Sequence, residues 1–181
     1  MDKIEQLERR RRELLRIPRS KEDSEEALLL GKQISIELTK KYSGLIRELA
    51  DVGIHITSVS DLVNTRARYP EAIGPLLKYL PLVDHPSSKE AFVRALTVRE
   101  AKGLAVPLLV KEYLAQPRER ESLRWAIGNA VNTTITKNDA ELIFPIVLNK
   151  ENGISRHMFV RALGKIKTAD VKSVLSRLPR R

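Results

Sequence analysis

The pentapeptide FVRAL occurs at residues 92–96 and again, unchanged, at residues 159–163. Between the two copies, the segment LRWAI at residues 123–127 keeps the same order of large and small residues. The three segments begin at 92, 123 and 159, so the steps between them are 31 and 36 residues. Self-similarity at such intervals is typical of helical-repeat proteins, in which each repeat is one supersecondary unit. The sequence therefore predicts three tandem copies of a helical unit.

A proline-containing element precedes each of the three segments. It reads GPLL at residues 74–77, VPLL at 106–109 and FPIV at 144–147. Proline is tolerated in the first turn of a helix, because the backbone N–H that it lacks has no intrahelical partner there. Each repeat is therefore predicted to be a pair of helices. Helix starts are also predicted from capping-box patterns, at Ser87 with Glu90 and at Asn138 with Glu141.

The second helices of the three pairs share two columns of apolar residues. The small members are Ala95, Ala126 and Ala162, and the large members that follow them are Leu96, Ile127 and Leu163. A tight crossing of two helices requires a small side chain, and the large neighbour fills the space between layers. Both columns are therefore predicted to be buried.

Helix pairs that carry FVRAL, LRWAIGNAV and FVRALGKIK resemble HEAT repeats, especially the short bacterial kind, over residues 69–178. The resemblance implies an all-α fold, namely a right-handed α-solenoid of about three HEAT-like helix pairs whose second helices line a concave face. It also implies a scaffold or binding role. These units are shorter than many eukaryotic HEAT units, and only one further helix, at residues 169–178, is expected after the third. The incomplete last pair implies an end that is capped by that helix or covered by a partner.

Residues 1–68 are predicted to form an N-terminal helical segment ahead of the solenoid at 69–181. One helix is expected over residues 1–16, and Ser20 with Asp23 resembles a capping box that opens an amphipathic stretch over 21–52. Gly31 and Gly44 weaken that stretch. A short extended connector at 53–59 and a short helix through residue 67 are expected next. Two roles stay open for the segment, a cap on the first repeat and a pair of dimerising helices.

Composition and charge narrow the functional classes. The 181 residues include no cysteine, which excludes disulfides, thiolate metal sites and cysteine nucleophiles. No apolar run approaches the roughly 18 residues that span a bilayer, so a cytoplasmic protein without membrane insertion is expected. The net charge of +10 divides into +2 for residues 1–50, +1 for 51–115 and +7 for 116–181. The block Arg9-Arg10-Arg11-Arg12 fits either a nucleic-acid or membrane arm or a solvated helix face, and the i,i+4 pairs that Glu5 and Glu8 make with it favour the solvated face.

The candidate binding residues lie in columns that the repeats bring into register. If the alanine columns point inward, the column on the opposite side carries Arg94, Trp125 and Arg161, with Asn129 and Lys165 four residues on. A parallel basic column is expected at Lys89, Arg120 and Arg156. Two interpretations stay open: these side chains anchor a partner in a groove, or the arginine stems cover apolar surface and Trp125 belongs to the core.

These features are compatible with three functions. The favoured one is a non-catalytic scaffold or adaptor that binds an acidic peptide or surface of a protein partner through its concave, basic face. The alternative is a nucleic-acid-binding protein that uses the basic C-terminal third. An alkylpurine DNA glycosylase, suggested by Trp125 and Glu121, lacks a second aromatic residue in register.

Neither a catalytic residue nor a cofactor is expected. No metal site is expected either, because the histidines at 55, 85 and 157 have no ligand neighbour at helical spacing. Self-association through the N-terminal helices or the incomplete last repeat stays open.

Overall fold

A computed structural model describes residues 3–16 and 20–178. Across these residues the regular secondary structure is helical and includes no strand, which confirms the predicted all-α class. The chain divides into two compact units, the first ending at Ser58 and the second beginning at Val59. No helix in the described ranges is both long enough and apolar enough to cross a membrane.

The first unit contains three helices, α1 (Lys3–Leu14), α2 (Lys21–Lys41) and α3 (Ser43–Asp51). The first two pack side by side and antiparallel, because Lys3 pairs with Glu37 at 2.7 Å and Arg10 pairs with Glu26 at 3.0 Å. Arg11 Nε also donates to the Ala27 carbonyl on α2 at 3.2 Å. Arg10 and Arg11, two residues of the arginine block, therefore both bind α2.

Three sequence predictions for this unit agree with the structure: the capping box at Ser20, the weak point near Gly44 and the connector after α3. Ser20 Oγ accepts from the Asp23 amide, and Asp23 accepts from the Ser20 amide, both at 3.0 Å, so the capping box is present. The pKa of the Asp23 carboxyl is lowered, first by the hydrogen bond from the Ser20 amide and then by an interaction with the Ser20 hydroxyl. The long stretch divides at Tyr42, close to Gly44, as the weak helix propensity of glycine favours. Residues 54–56 lack regular structure, as expected for a connector.

The second unit contains the remaining helices: α4 (Val59–Asn64), α5 (Ile73–Tyr79), α6 (Pro86–Ala95), α7 (Val106–Ala115), α8 (Glu121–Thr134), α9 (Phe144–Leu148), α10 (His157–Leu163) and α11 (Ala169–Ser176). The helices α4, α6, α8 and α10 form a row in which each packs against the next. Outside the row, α7 packs on α8 and α9 packs on α10. Because α4 packs on α6, the second unit starts ten residues before the predicted boundary at 68/69.

Both repeat columns lie in the core of the second unit. Ala95, Ala126 and Ala162 are buried, and so are Leu96, Ile127 and Leu163. The aromatic residues that open the two FVRAL copies, Phe92 and Phe159, are buried with them. Burial at every one of these positions confirms that the recurring pattern marks the inward side of α6, α8 and α10.

Two predicted capping boxes are wrong. The helix α6 begins at Pro86, before Ser87, and the Glu90 side chain binds Arg94 instead of capping the helix. Proline at the first helical position sets this start, because its fixed φ already suits a helix. The box predicted at Asn138 is formed two residues earlier, where Asp139 accepts from the Thr136 amide at 2.8 Å.

Candidate binding site

The exposed side of the row carries Arg94 on α6, Trp125 on α8 and Arg161 on α10. Each of these residues directly precedes a buried alanine, so the helical turn directs it away from the core. Trp125 is 42% exposed, a large fraction for the side chain with the greatest apolar surface. We call this surface, defined by Arg94, Trp125 and Arg161, the anchor face.

Arg94 is held in place by a hydrogen-bonded cluster. Its Nε and Nη2 atoms donate to Glu90 Oε1 at 2.9 and 2.6 Å. Ser122 Oγ on α8 donates to the other carboxylate oxygen of Glu90 at 3.1 Å. The cluster therefore links α6 to α8 and orients the guanidinium of Arg94 along the anchor face.

Trp125 borders a shallow pocket of about 250 Å³. The pocket is also lined by Glu121, Ser122, Ile154 and Ser155. Ile154 is 69% exposed, so an indole and an aliphatic side chain lie next to each other in contact with solvent. Adjacent exposed apolar side chains with a polar rim are typical of interaction surfaces.

A larger and basic cleft opens at the other end of the row. It has a volume of about 710 Å³, and its lining includes Arg66, Arg68, Arg94 and Arg99 together with one acidic residue, Glu100. We call it the arginine cleft. Arg94 lines this cleft and is also part of the anchor face, so it belongs to both surfaces. It lines a further pocket of about 310 Å³ between α4 and α6 as well.

The wall of the arginine cleft is anchored to the core. Tyr69 is buried, and its hydroxyl donates to the Ala95 carbonyl at 3.0 Å. Arg68 Nε pairs with Glu100 at 2.5 Å, and this bond is the main reason that the pKa of Glu100 is lowered. Burial, with a smaller effect from Glu100, raises the pKa of the Tyr69 hydroxyl. The segment that carries Arg66 and Arg68 is thereby fixed against the end of α6.

We expect Arg68→Ala to raise the pKa of Glu100 toward the ordinary carboxyl value, because the strongest donor to its carboxylate is lost. Side-chain carboxyl chemical shifts followed by NMR against pH measure this. Since folding lowers the pKa of Glu100, its carboxylate stabilises the fold above the unfolded-state pKa. That contribution is lost as pH falls through the folded-state pKa. An unchanged Glu100 titration in Arg68→Ala would contradict the pairing, and Lys111→Ala on α7 is the control.

The predicted basic column at Lys89, Arg120 and Arg156 is not a continuous exposed surface. Lys89 is buried, and its Nζ donates to the buried carboxylate of Glu112 on α7. The reason is that α6 starts six residues before its FVRAL copy, whereas α8 and α10 start two residues before theirs. Lys89 therefore lies inside a helix, while Arg120 and Arg156 occupy N-cap positions.

The other predicted site residues differ in their surroundings. Arg120 is exposed and donates to Gln116 Oε1 at 3.1 Å, and the half-buried Arg156 donates to the Val147 carbonyl at 3.4 Å. Asn129 is half-buried on α8. Lys165 Nζ donates to the Asn132 carbonyl at 2.7 Å, which ties the end of α10 to the end of α8. Lys165 is exposed and lies four residues after Arg161 of the anchor face.

Within the described part of the chain, no three histidine or acidic side chains converge in a group that could hold a metal ion. Comparisons with protein-family models, with curated proteins and with solved structures found no match to this chain.

Proposed function

We propose that this chain is a non-catalytic, HEAT-like helical-repeat scaffold or adaptor that binds an acidic segment of a protein partner. The single observation that carries the proposal is the exposed Trp125, next to Ile154, on the same row of helices as Arg94 and Arg161. Tryptophan and arginine are the residue types that most often dominate the binding energy of protein interfaces.

A right-handed α-solenoid of HEAT-like pairs is part of the same proposal. It is supported by the row of α6, α8 and α10, in which equivalent helices pack on one another, with α7 and α9 outside the row. Stacked pairs bury one continuous core and leave an extended face for a partner. In this proposal the anchor face is the concave side, and the protein works in the cytoplasm.

A nucleic-acid partner is the second candidate, and the arginine cleft favours it, because clustered arginines bind phosphates. The surroundings favour a protein segment instead. Glu90 and Glu121 line the two smaller pockets, so the sign of charge alternates along the row. A continuous polyanion meets repulsion at such positions, whereas a short acidic segment can avoid them.

The chain contains one tryptophan, so Trp125 fluorescence reports directly on the proposed site. We expect acidic peptides that carry leucine or phenylalanine to shift its emission to shorter wavelength, because the indole leaves water. For labelled peptides, the triple variant Arg94→Ala/Trp125→Ala/Arg161→Ala should lower the affinity about tenfold or more, as expected for losing interface anchors. Anisotropy measures the affinity, and circular dichroism checks that the variant is folded.

The matched control removes a charge and an apolar side chain from the other side of the row. Lys111→Ala/Leu114→Ala changes two exposed residues of α7 and should leave peptide affinity unchanged. Duplex DNA and RNA are titrated alongside at several salt concentrations. Tight nucleic-acid binding that falls steeply with salt, without peptide binding, would reject the protein-partner proposal in favour of the second candidate.

A further inference from the structure

The arginine cleft has an excess of positive charge, and the binding proposed for the anchor face does not account for it. Its lining includes four guanidinium groups, of which Arg68 pairs with Glu100 and Arg94 pairs with Glu90, which leaves about two positive charges, on Arg66 and Arg99, facing one volume of about 710 Å³. Like charges that converge in a cleft repel one another and focus a positive potential there, which attracts an anion. The volume lies in the usual range for a ligand pocket, roughly 300–1,000 Å³.

From this charge we infer that the arginine cleft binds a phosphorylated serine or threonine of the acidic segment, an inference that rests on the proposed function. A phosphorylated side chain carries a charge of about −1.5 to −2 at neutral pH and three acceptor oxygens. A single carboxylate would leave about half of the excess charge of the cleft unbalanced, whereas the charge of a phosphorylated side chain matches it. The planar forks of several arginines also suit the bidentate hydrogen bonds that phosphoryl oxygens accept.

Part of the wall of the cleft is held in place. Tyr69 and the Arg68–Glu100 pair hold the wall against α6, and the Ala67 amide donates to Thr65 Oγ1 at 3.1 Å. Because Thr65 Oγ1 accepts that bond, its own O–H is able to donate to an anion in the cleft, which Thr65 also lines. A wall that is already fixed reduces the conformational entropy that is lost when an anion binds.

Arg94 connects the arginine cleft to the anchor face. It lines the cleft and also faces the pocket beside Glu90, one helix away from Trp125 on α8. Packed helices lie about 8–10 Å apart, and an extended peptide advances about 3.3 Å per residue. Because Arg66 and Arg68 follow α4 and Ile154 precedes α10, the peptide crosses one to two such spacings. The phosphorylated residue is therefore expected about two to six residues from an apolar residue that contacts Trp125 and Ile154.

The test uses the full chain and three labelled peptides of one acidic sequence, with a leucine four residues from a serine, a phosphoserine or a glutamate. We expect the phosphoserine peptide to bind about tenfold more tightly than the serine peptide. Arg66→Ala/Arg99→Ala should abolish that difference and leave the affinity for the serine peptide within twofold. Trp125→Ala should weaken all three peptides by a similar factor.

The control Lys111→Ala/Lys172→Ala removes two charges at exposed positions outside the cleft, and it should keep the preference for phosphoserine. Equal affinity for the serine and phosphoserine peptides would overturn the inference and leave the proposed function intact. A lack of binding by every peptide would overturn both. Stronger binding of a 5′-phosphorylated oligonucleotide than of the phosphopeptide would overturn the inference in favour of a nucleic-acid end.

Discussion

Replacing Glu112 with alanine is expected to destabilise the protein by about 3–5 kcal/mol, because the substitution leaves Lys89 charged in a buried site. The side chains of Lys89 and Glu112 are only 10% and 8% exposed, and Lys89 Nζ donates to Glu112 Oε2. The pair joins α6 to α7. Urea unfolding followed by circular dichroism measures the change as a lower midpoint.

The double variant Lys89→Met/Glu112→Leu separates the cost of a lone charge from the value of the pair. Apolar side chains of similar volume often replace a buried ion pair at no cost, so this variant should be close to the wild type in stability. The exposed pair of Arg118 and Glu151 is the matched control, and breaking it with Glu151→Ala should cost about 1 kcal/mol or less. A Glu112→Ala variant as stable as Glu151→Ala would show that the buried charge is relieved elsewhere.

The buried columns could be predicted from sequence because helical geometry alone decides which residues share a side. Every third or fourth residue returns to one face, so the identical spacing in three segments placed Ala126 and Ile127 correctly in the core. Lys89 could not be placed in this way. Its environment depends on where α6 begins, and Pro86 starts that helix one turn earlier than the aligned repeats suggest.

Arg124 shows how a tertiary contact overrides residue type. It is buried, and its guanidinium lies 3.9 Å from the ring centre of Tyr113 while donating to the Gln116 carbonyl at 3.0 Å and to Asn152 Oδ1 at 2.7 Å. The one sequence signal for burial was its position, since the aligned residues in the two FVRAL copies are Val93 and Val160. An apolar column in two repeats predicts the direction of the side chain in the third.

The arginine cleft could not be predicted from local sequence. Arg66 and Arg68 follow α4, whereas Arg99 follows α6, and only the packing of α4 on α6 brings them to one cavity. The net charge of the segment did not indicate a basic cleft either, because residues 51–115 have a net charge of only +1. Three-dimensional proximity, not the total charge of a segment, concentrates the arginines.

Replacing Gly128 with alanine is expected to destabilise the protein by about 1–3 kcal/mol, although alanine in a helix is usually favoured over glycine by about 1 kcal/mol. Gly128 lies inside α8 and is buried where α10 crosses it. A Cβ atom at this position would lie 2.9 Å from Met158 Cβ and 3.3 Å from the Ser155 carbonyl oxygen. Neither atom is the free end of a flexible side chain, so α10 has to move.

Gly164→Ala provides the matched control at the end of α10. Its backbone has a helical φ of −57°, and the nearest atom to an added Cβ is a carbonyl oxygen at 3.4 Å, an ordinary contact. This variant should be neutral or slightly more stable than the wild type in thermal and urea unfolding. If Gly128→Ala were equally stable, α8 and α10 would be packed less closely than the structure indicates.

The Gly128 contact also bears on binding. Ser155 and Ile154 line the Trp125 pocket, and they directly precede α10. Moving α10 away from α8 therefore displaces the aliphatic wall from the indole. We expect folded Gly128→Ala to bind the serine and phosphoserine peptides more weakly by the same factor, because the arginine cleft at the other end of the row is untouched. A selective loss of phosphoserine binding would contradict this separation of the two surfaces.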